Sequence, residues 1–365
     1  MILLDTLSDP VARRTLMGRA RLVGLFALVF AGVCAALSLT LRSVSPAPDM
    51  LVLTPKLEHF QTNADEYDTV FLGTSRTFYH IVPDLVEAGA AEAGCPGLSV
   101  YNFGVFGLTG AEQDYLLDAV LESDSVQRII LEDPLPQPRQ FSETMTERAR
   151  YFSAPAGYGA ALGSVSSYPE SFPKRIFRTG MFAFGAAYDL SGVGRGAALA
   201  FPEAEPPAPH TFDMSEDGFE ALGDKMTDGI QARRDEFLSR PEGFEEALDL
   251  YGRSSPNIDA RAAYMVGKLR KVEAAGKAAS LYISPDLLEL DRTAQVGKRV
   301  AETAPDLSVL NFNRPDAYPD LFERDVWYDF SHLSRSGAER LSRKAGAELC
   351  RAQTGAGEGG VNAVR

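Results

Sequence analysis

The sequence predicts an α/β domain built on a parallel sheet and carried behind one membrane-spanning helix. Three observations lead there. Short apolar runs ended by Gly, Pro or acidic residues recur along the chain, helical patterns separate them, and one stretch near the N-terminus is long, apolar and uncharged. The 365 residues are 45% hydrophobic and 24% charged, a balance that excludes disorder over most of the length. A polytopic membrane protein is excluded too, because only one stretch is apolar enough to span a bilayer.

That stretch is residues 22–41, LVGLFALVFAGVCAALSLTL, in which only Ser38 and Thr40 are polar. As a helix it extends roughly 30 Å, the hydrocarbon thickness of a bilayer. Arg13, Arg14, Arg19 and Arg21 precede it and only Arg42 follows closely. This asymmetry puts residues 1–21 in the cytoplasm and the rest of the chain outside it, in a bacterium the periplasm, with the helix a single-pass inner-membrane anchor. A cleaved signal peptide is the alternative, favoured by Ala35-Ala36 and disfavoured by the length of the apolar run. Residues 42–60, with Pro46-Ala47-Pro48, read as a linker. The net charge is −14, yet residues 1–45 carry +3, leaving −17 on the remainder. A body so acidic repels phosphate backbones, so nucleic-acid binding is not expected. Three cysteines without C-x-x-C and four scattered histidines offer no metal-ligand spacing, and no metal is expected.

The expected strands come in order. DTVFL (68–72) is a short apolar run stopped by Gly73. A helix follows Thr74-Ser75-Arg76, breaks at Pro83 and resumes through Leu85 and Val86. LSVYNF (98–103) is the second strand, ended by GVFGLTG (104–110), and Ala111–Leu121 is helical. RIIL (128–131) is the third strand, stopped by Glu132-Asp133-Pro134. Ile258–Lys277 has helical apolar spacing and feeds ASLYI (279–283), and LSVLNF (307–312) is the fifth strand. The last helix opens with the capping-box pattern Ser336-Gly337-Ala338-Glu339 and carries Leu341, Ala345 and Leu349 on one side. Strands alternating with helices imply helices on both sheet faces, with ligands at the strands' carboxyl ends.

Between the third and fourth strands, residues 137–256 read as an insertion the sheet does not need. It is rich in Gly, Ala and Pro, then charged and helical from Ser215 to Ser239, and is expected to form a lid or partner surface. The body of the domain spans 61–350, and 351–365 reads as a flexible tail. In an oxidising compartment Cys95 and Cys350 are the only pair outside the anchor. Both follow helices on one face of the expected sheet, so a disulfide is favoured over two buried thiols.

Three features suit nucleophilic catalysis. Ser75 sits between a strand and a helix start, where a turn exposes its hydroxyl. Asp329 and His332 lie three residues apart in YDFSHLSRSGAERL, so the carboxylate reaches Nδ1 of the ring and leaves Nε2 for the serine. The glycine-rich turn after the second strand can present backbone N–H groups to an oxyanion. Taken singly, a Gly-x-Ser turn is more often a helix cap, an Asp-x-x-His a structural hydrogen bond, and G-x-x-G-x-x-G a tight turn. Together, at strand ends in this order, they are far more specific.

These blocks resemble the SGNH (GDSL-like) hydrolase superfamily. FLGTSRT (71–77) is similar to its first block with Ser75 as nucleophile. YNFGVFGLTG (101–110) is similar to its second, with Gly107 at the oxyanion position. DFSHLSRSGAERLS (329–342) is similar to its last, with Asp329 and His332. The resemblance implies a flavodoxin-like three-layer sandwich and a Ser75–His332–Asp329 triad, with the backbone N–H groups of Ser75 and Gly107 as oxyanion hole and no cofactor. The anchor and the G-T-S-R form look most like the membrane-tethered branch, which implies esterase or O-acyltransferase activity on acyl groups of an exported polysaccharide or an acylated small molecule. A membrane-bound O-acyltransferase is the partner this branch implies. Two positions depart from the pattern. Thr74 replaces an Asp, and Glu132-Asp133 stands where an Asn donates to the oxyanion. An ionised carboxylate cannot donate, so Arg76 is the nearest substitute. A catalytically degenerate glycan-binding or scaffold module is the alternative that this departure motivates. An unrelated flavodoxin-like domain, with Ser75 far from His332, is the third reading.

Overall fold

The computed structural model describes residues 10–44, 50, 52–134, 148, 171–190, 215–223, 227–253 and 258–354. Two compact units divide the chain, one of residues 1–47 with 183–207, the other of 48–182 with 208–365. The first contains helix α1 (Pro10–Val44). Its segment Gly18–Leu41 is long and apolar enough to cross a membrane, and Leu22, Phe26 and Leu28 point outward from it, exposed. The Thr40 hydroxyl donates to the Ala36 carbonyl at 2.9 Å, so one of the two polar side chains of the apolar run is satisfied within the helix.

In the second unit the chain runs α2 (Leu53–Asn63), β1 (Thr69–Gly73), α3 (Ser75–His80), α4 (Pro83–Glu92), β2 (Val100–Gly104), α5 (Gly110–Leu121) and β3 (Arg128–Glu132). Helix α6 (Phe172–Leu190) crosses between the units. Then come α7 (Asp228–Ser239), α8 (Pro241–Leu248), α9 (Ile258–Ala274), β4 (Ala278–Ile283), α10 (Leu290–Thr303), β5 (Ser308–Asn311) and α11 (Arg335–Thr354). The five strands form one parallel sheet in the order β2-β1-β3-β4-β5.

Each strand presents alternate residues to opposite faces. Val70, Leu72, Phe103, Ile129, Leu131 and Leu281 pack with α2, α5 and α9 on one side. Phe71, Ile130, Tyr282 and Leu310 pack with α4 and α11 on the other. Both faces are covered, which is why the strands read as unbroken apolar runs. Helices α4 and α11 meet backbone to backbone, since a Cβ on Gly89 or Gly346 would collide with the other helix's main chain. The Cys95–Cys350 disulfide ties their C-terminal ends at a Cα–Cα distance of 5.6 Å. Cys350 lies inside α11 rather than after it.

Four expectations need correction. The linker 42–60 ends early: α2 begins at Leu53, and Leu53, Leu57 and Phe60 are core residues. The periodicity there is short and diluted by Lys56, Glu58 and His59, which hid it. The cap of α11 is Ser334, whose hydroxyl accepts from the Gly337 N–H, two residues before the expected capping box. Helix continues through Thr354, so the tail starts later. Residues 137–256 are not wholly dispensable: Phe237, Phe244 and Ala247 from α7 and α8 belong to the second core. Residues 215–223 are not helical, and the Asp217 carbonyl accepts from the Asn102 N–H at 2.9 Å, covering the edge strand β2. Residues 137–147, 149–170, 191–214, 224–226 and 254–256 of the expected insertion, its PEAEPPAP run, Pro46-Ala47-Pro48 and residues 355–365 lie outside the described residues.

Candidate active site

The parallel registers level the carboxyl ends of the strands, with Gly73 opposite Gly104 and Leu72 opposite Leu131. One residue past the end of β1, Thr74 caps α3, its hydroxyl accepting from the Arg76 N–H. Ser75 is the first helical residue and is half-buried, while Thr74, Arg76 and Thr77 around it are buried.

Glu132, at the end of β3, holds this turn. Its carboxylate accepts from the Thr74 N–H at 2.7 Å and hydroxyl at 2.8 Å, from the Thr77 N–H at 3.2 Å and hydroxyl at 2.6 Å, and from Arg76 Nε at 2.8 Å. Gly73 is required for the approach, because a Cβ there would collide with Thr77 Oγ1 and the Glu132 side chain. Glu132 therefore spends its lone pairs on the turn beneath the serine. The sequence reading had set it against an oxyanion; the geometry makes it the support of the Ser75 backbone. Arg76 is bound to the same carboxylate. Its guanidinium is buried between Glu132 and Asp286. Burial opposes its charge, but the two carboxylates outweigh burial and push its pKa up. Its Nε and Nη1 are thereby committed to ion pairs. Asp133 is likewise paired, with Arg261 at 2.7 Å; burial raises its pKa and Arg261 opposes the shift.

The histidine arrives on the loop between β5 and α11. Trp327 anchors that loop, fully buried and donating from Nε1 to the Leu321 carbonyl at 3.0 Å. Trp327 and Leu333 form an antiparallel bridge that closes the intervening residues. Within it, Asp329 Oδ1 accepts from the Ser331 and His332 N–H groups, both at 2.8 Å. His332 Nδ1 lies 2.9 Å from Asp329 Oδ1 and 3.1 Å from Oδ2. His332 Nε2 lies 2.9 Å from Ser75 Oγ. A hydrogen-bonded chain thus runs from a buried carboxylate through imidazole to a half-exposed hydroxyl, across 257 positions of sequence. Burial works to raise the Asp329 pKa, but the hydrogen bond and charge of His332, the Ser331 N–H and Arg233 together hold it below the ordinary carboxylate value.

Several residues the sequence did not single out support this chain. Arg234 on α7 donates to the Trp327 and Tyr328 carbonyls, both at 2.8 Å, and Arg233 stands 3.7 Å from Asp329 Oδ2. Tyr79 sets its ring edge-on to His332 at 5.6 Å and stacks on Phe106 at 5.2 Å. Gly107, beside Phe106, has φ +59°, the left-handed region that a glycine adopts freely, and it is exposed. Arg148 clamps this turn, donating to the Phe106 carbonyl at 2.7 Å and to both oxygens of Glu112. No local pattern marks an arginine 36 positions from its carboxylate, and although 228–239 reads as helical, nothing in that charged stretch singles out Arg233 or Arg234.

His80 is the closest support of the His332 loop. Its Nε2 accepts from the Leu333 N–H at 2.9 Å, so Nδ1 carries the proton and meets Ser284 Oγ at 2.8 Å. Burial, then His332 and Arg76, push its pKa well below the ordinary histidine value. Protonation would turn the acceptor nitrogen into a donor facing an N–H. An unfolded chain takes up that proton near pH 6.5 while the folded one resists. The His80 contribution is therefore complete above about pH 6.5 and lost as pH falls below it, by up to about 1.4 kcal/mol per pH unit. The expected result is a drop in unfolding free energy between pH 6.5 and 5 that is larger in the wild type than in His80→Gln, whose amide does not titrate. Parallel curves for the two proteins would contradict this account.

No family model, curated protein or solved structure matches the chain.

Proposed function

We propose that the chain is a membrane-anchored serine esterase or O-acyltransferase of the SGNH type, facing the periplasm from a bacterial inner membrane. The observation that carries the reading is the hydrogen-bonded chain Ser75 Oγ–His332 Nε2, His332 Nδ1–Asp329. The parallel sheet with helices on both faces, the position of Ser75 past the end of β1 and the three motif blocks support it further. The Cys95–Cys350 disulfide and the apolar helix agree with a tethered domain outside the cytoplasm.

Ser75 Oγ attacks the acyl carbonyl carbon, and its proton passes to His332 Nε2. The backbone N–H groups of Ser75 and Gly107 receive the oxyanion. Collapse expels the alcohol, which takes the proton from His332, and leaves the acyl group as an ester on Ser75. Water, in an esterase, or a sugar hydroxyl, in a transferase, then attacks the ester. His332 accepts that proton and returns it to Ser75. Asp329 stays ionised throughout and keeps the imidazole proton on Nδ1. Acyl esters of an exported polysaccharide are the proposed substrates, with a membrane-bound O-acyltransferase as the proposed donor-side partner.

A fluorophosphonate probe tests the reading without knowledge of the substrate. The full chain, produced with its disulfide formed, is expected to be labelled, and Ser75→Ala and His332→Ala are expected not to be. An unlabelled, folded wild type would overturn the catalytic reading in favour of a glycan-binding or scaffold role.

A further inference from the structure

Large apolar side chains stand exposed at six described positions outside α1, and four of them lie on α6. Phe172, Ile176, Phe177 and Phe184 are 68, 57, 69 and 55% exposed. At about 100° per residue these four fall within an arc of about 140° on the helix surface. Lys174 and Arg175 project about 60° beyond the two edges of that arc, and Arg178 lies near the middle of the opposite side. Helix α6 carries Lys174, Arg175 and Arg178 against a single acidic residue, Asp189, in a chain of net charge −14. The helix thus inverts the chemistry of the rest of the protein. It is apolar where the others are solvated and cationic where the whole is acidic.

We propose that α6 lies in the plane of an anionic lipid surface, with Phe172, Ile176, Phe177 and Phe184 in the boundary between headgroups and acyl chains. A broad exposed apolar face marks an interaction surface. Cations at both edges of the face suit a bilayer, where their stems lie along the boundary and their heads reach phosphates on either side of the helix. Charge complementarity gives the same partner, because a cationic segment on an acidic protein is drawn to anionic headgroups while the body is repelled. The inference rests on α1 as the anchor and is independent of the chemistry proposed for Ser75.

The single tryptophan of the chain, Trp327, is fully buried and provides an internal reference. Phe177→Trp and, on the far side of the helix, Arg178→Trp are introduced separately into the full chain. Each protein is reconstituted into phosphatidylcholine vesicles containing phosphatidylglycerol, with and without bromine on the acyl chains. The emission added by Phe177→Trp is expected to shift to the blue and to be largely quenched by the brominated chains. That added by Arg178→Trp, and the emission of Trp327 alone, are expected to escape quenching. Replacing phosphatidylglycerol by phosphatidylcholine is expected to weaken the Phe177→Trp effect. Equal quenching of the two variants, or a Phe177→Trp emission left at the wavelength of water, would overturn the proposal, the latter being the result expected if the face docks on another protein. Failure of the chain to float with vesicles would overturn both the anchor reading and this inference. Fluorophosphonate labelling of the same preparations reports separately on Ser75.

Discussion

Asp329→Asn is expected to lower the rate of Ser75 acylation by about 10⁴ while leaving the loop folded, a magnitude established for the corresponding change in a serine protease. The reason lies in which oxygen does what. Oδ1 accepts from the Ser331 and His332 N–H groups, so an asparagine keeps its carbonyl there and places its amide in the position of Oδ2. That amide, 3.1 Å from His332 Nδ1 by the native geometry, donates where the carboxylate accepted. The nearer carbonyl oxygen, 2.9 Å from Nδ1, is already shared by two N–H groups, so the amide favours the tautomer with its proton on Nε2, which donates to Ser75 Oγ and no longer takes the serine proton. Arg233 also loses its opposite charge. Fluorophosphonate labelling rates measure the effect, and an unchanged rate would show that the Ser75–His332–Asp329 contacts are structural only. An unchanged thermal midpoint separates this loss from unfolding.

Glu132→Ala is expected to cost about 3–5 kcal/mol of stability, the scale for removing one partner of a buried ion pair. The substitution strips a buried guanidinium of its Nε partner and leaves the Thr74 and Thr77 N–H groups without their acceptor. Asp286 remains to hold Arg76, which limits the loss. Should the alanine variant fail to fold, Glu132→Gln retains the volume but offers one acceptor oxygen in place of two. Its nitrogen must face donors, so the Ser75 turn loosens and labelling slows. Denaturant unfolding checks the first variant and labelling kinetics the second. A Glu132→Ala protein within about 1 kcal/mol of wild type would be inconsistent with a carboxylate that organises the turn.

Much of this molecule is legible along the chain because its information is local. Short, mainly apolar runs mark all five strands, four of them closed by Gly, Pro or acidic residues, since a strand covered on both faces favours apolar residues on both. An uncharged twenty-residue stretch marks the apolar helix by length alone. Ser75, Asp329 and His332 are recognisable by residue type and spacing, and Cys95 and Cys350 pair by elimination and topology. Helix α2 is hard to see along the chain because only Leu53, Leu57 and Phe60 of its buried residues are apolar and its charged positions resemble a linker. Helix α7 was placed in dispensable sequence because Phe237 finds its partners only across the fold.

The sequence by itself determined the strand order along the chain, the apolar segment, the disulfide partners and the residue types able to form a catalytic relay. The tertiary structure alone decided what each buried charge does. Glu132 looked like an obstacle to catalysis and Arg76 like its remedy, because a one-dimensional reading assigns a polar residue to the nearest site. Folded, the two neutralise one another beneath the serine turn, with Gly73 leaving the space. Arg148, Arg234 and His80 hold the surrounding loops through contacts 42, 93 and 253 positions apart. A buried polar group must find its partner wherever packing brings one, and that pairing is a property of the three-dimensional arrangement rather than of any local stretch.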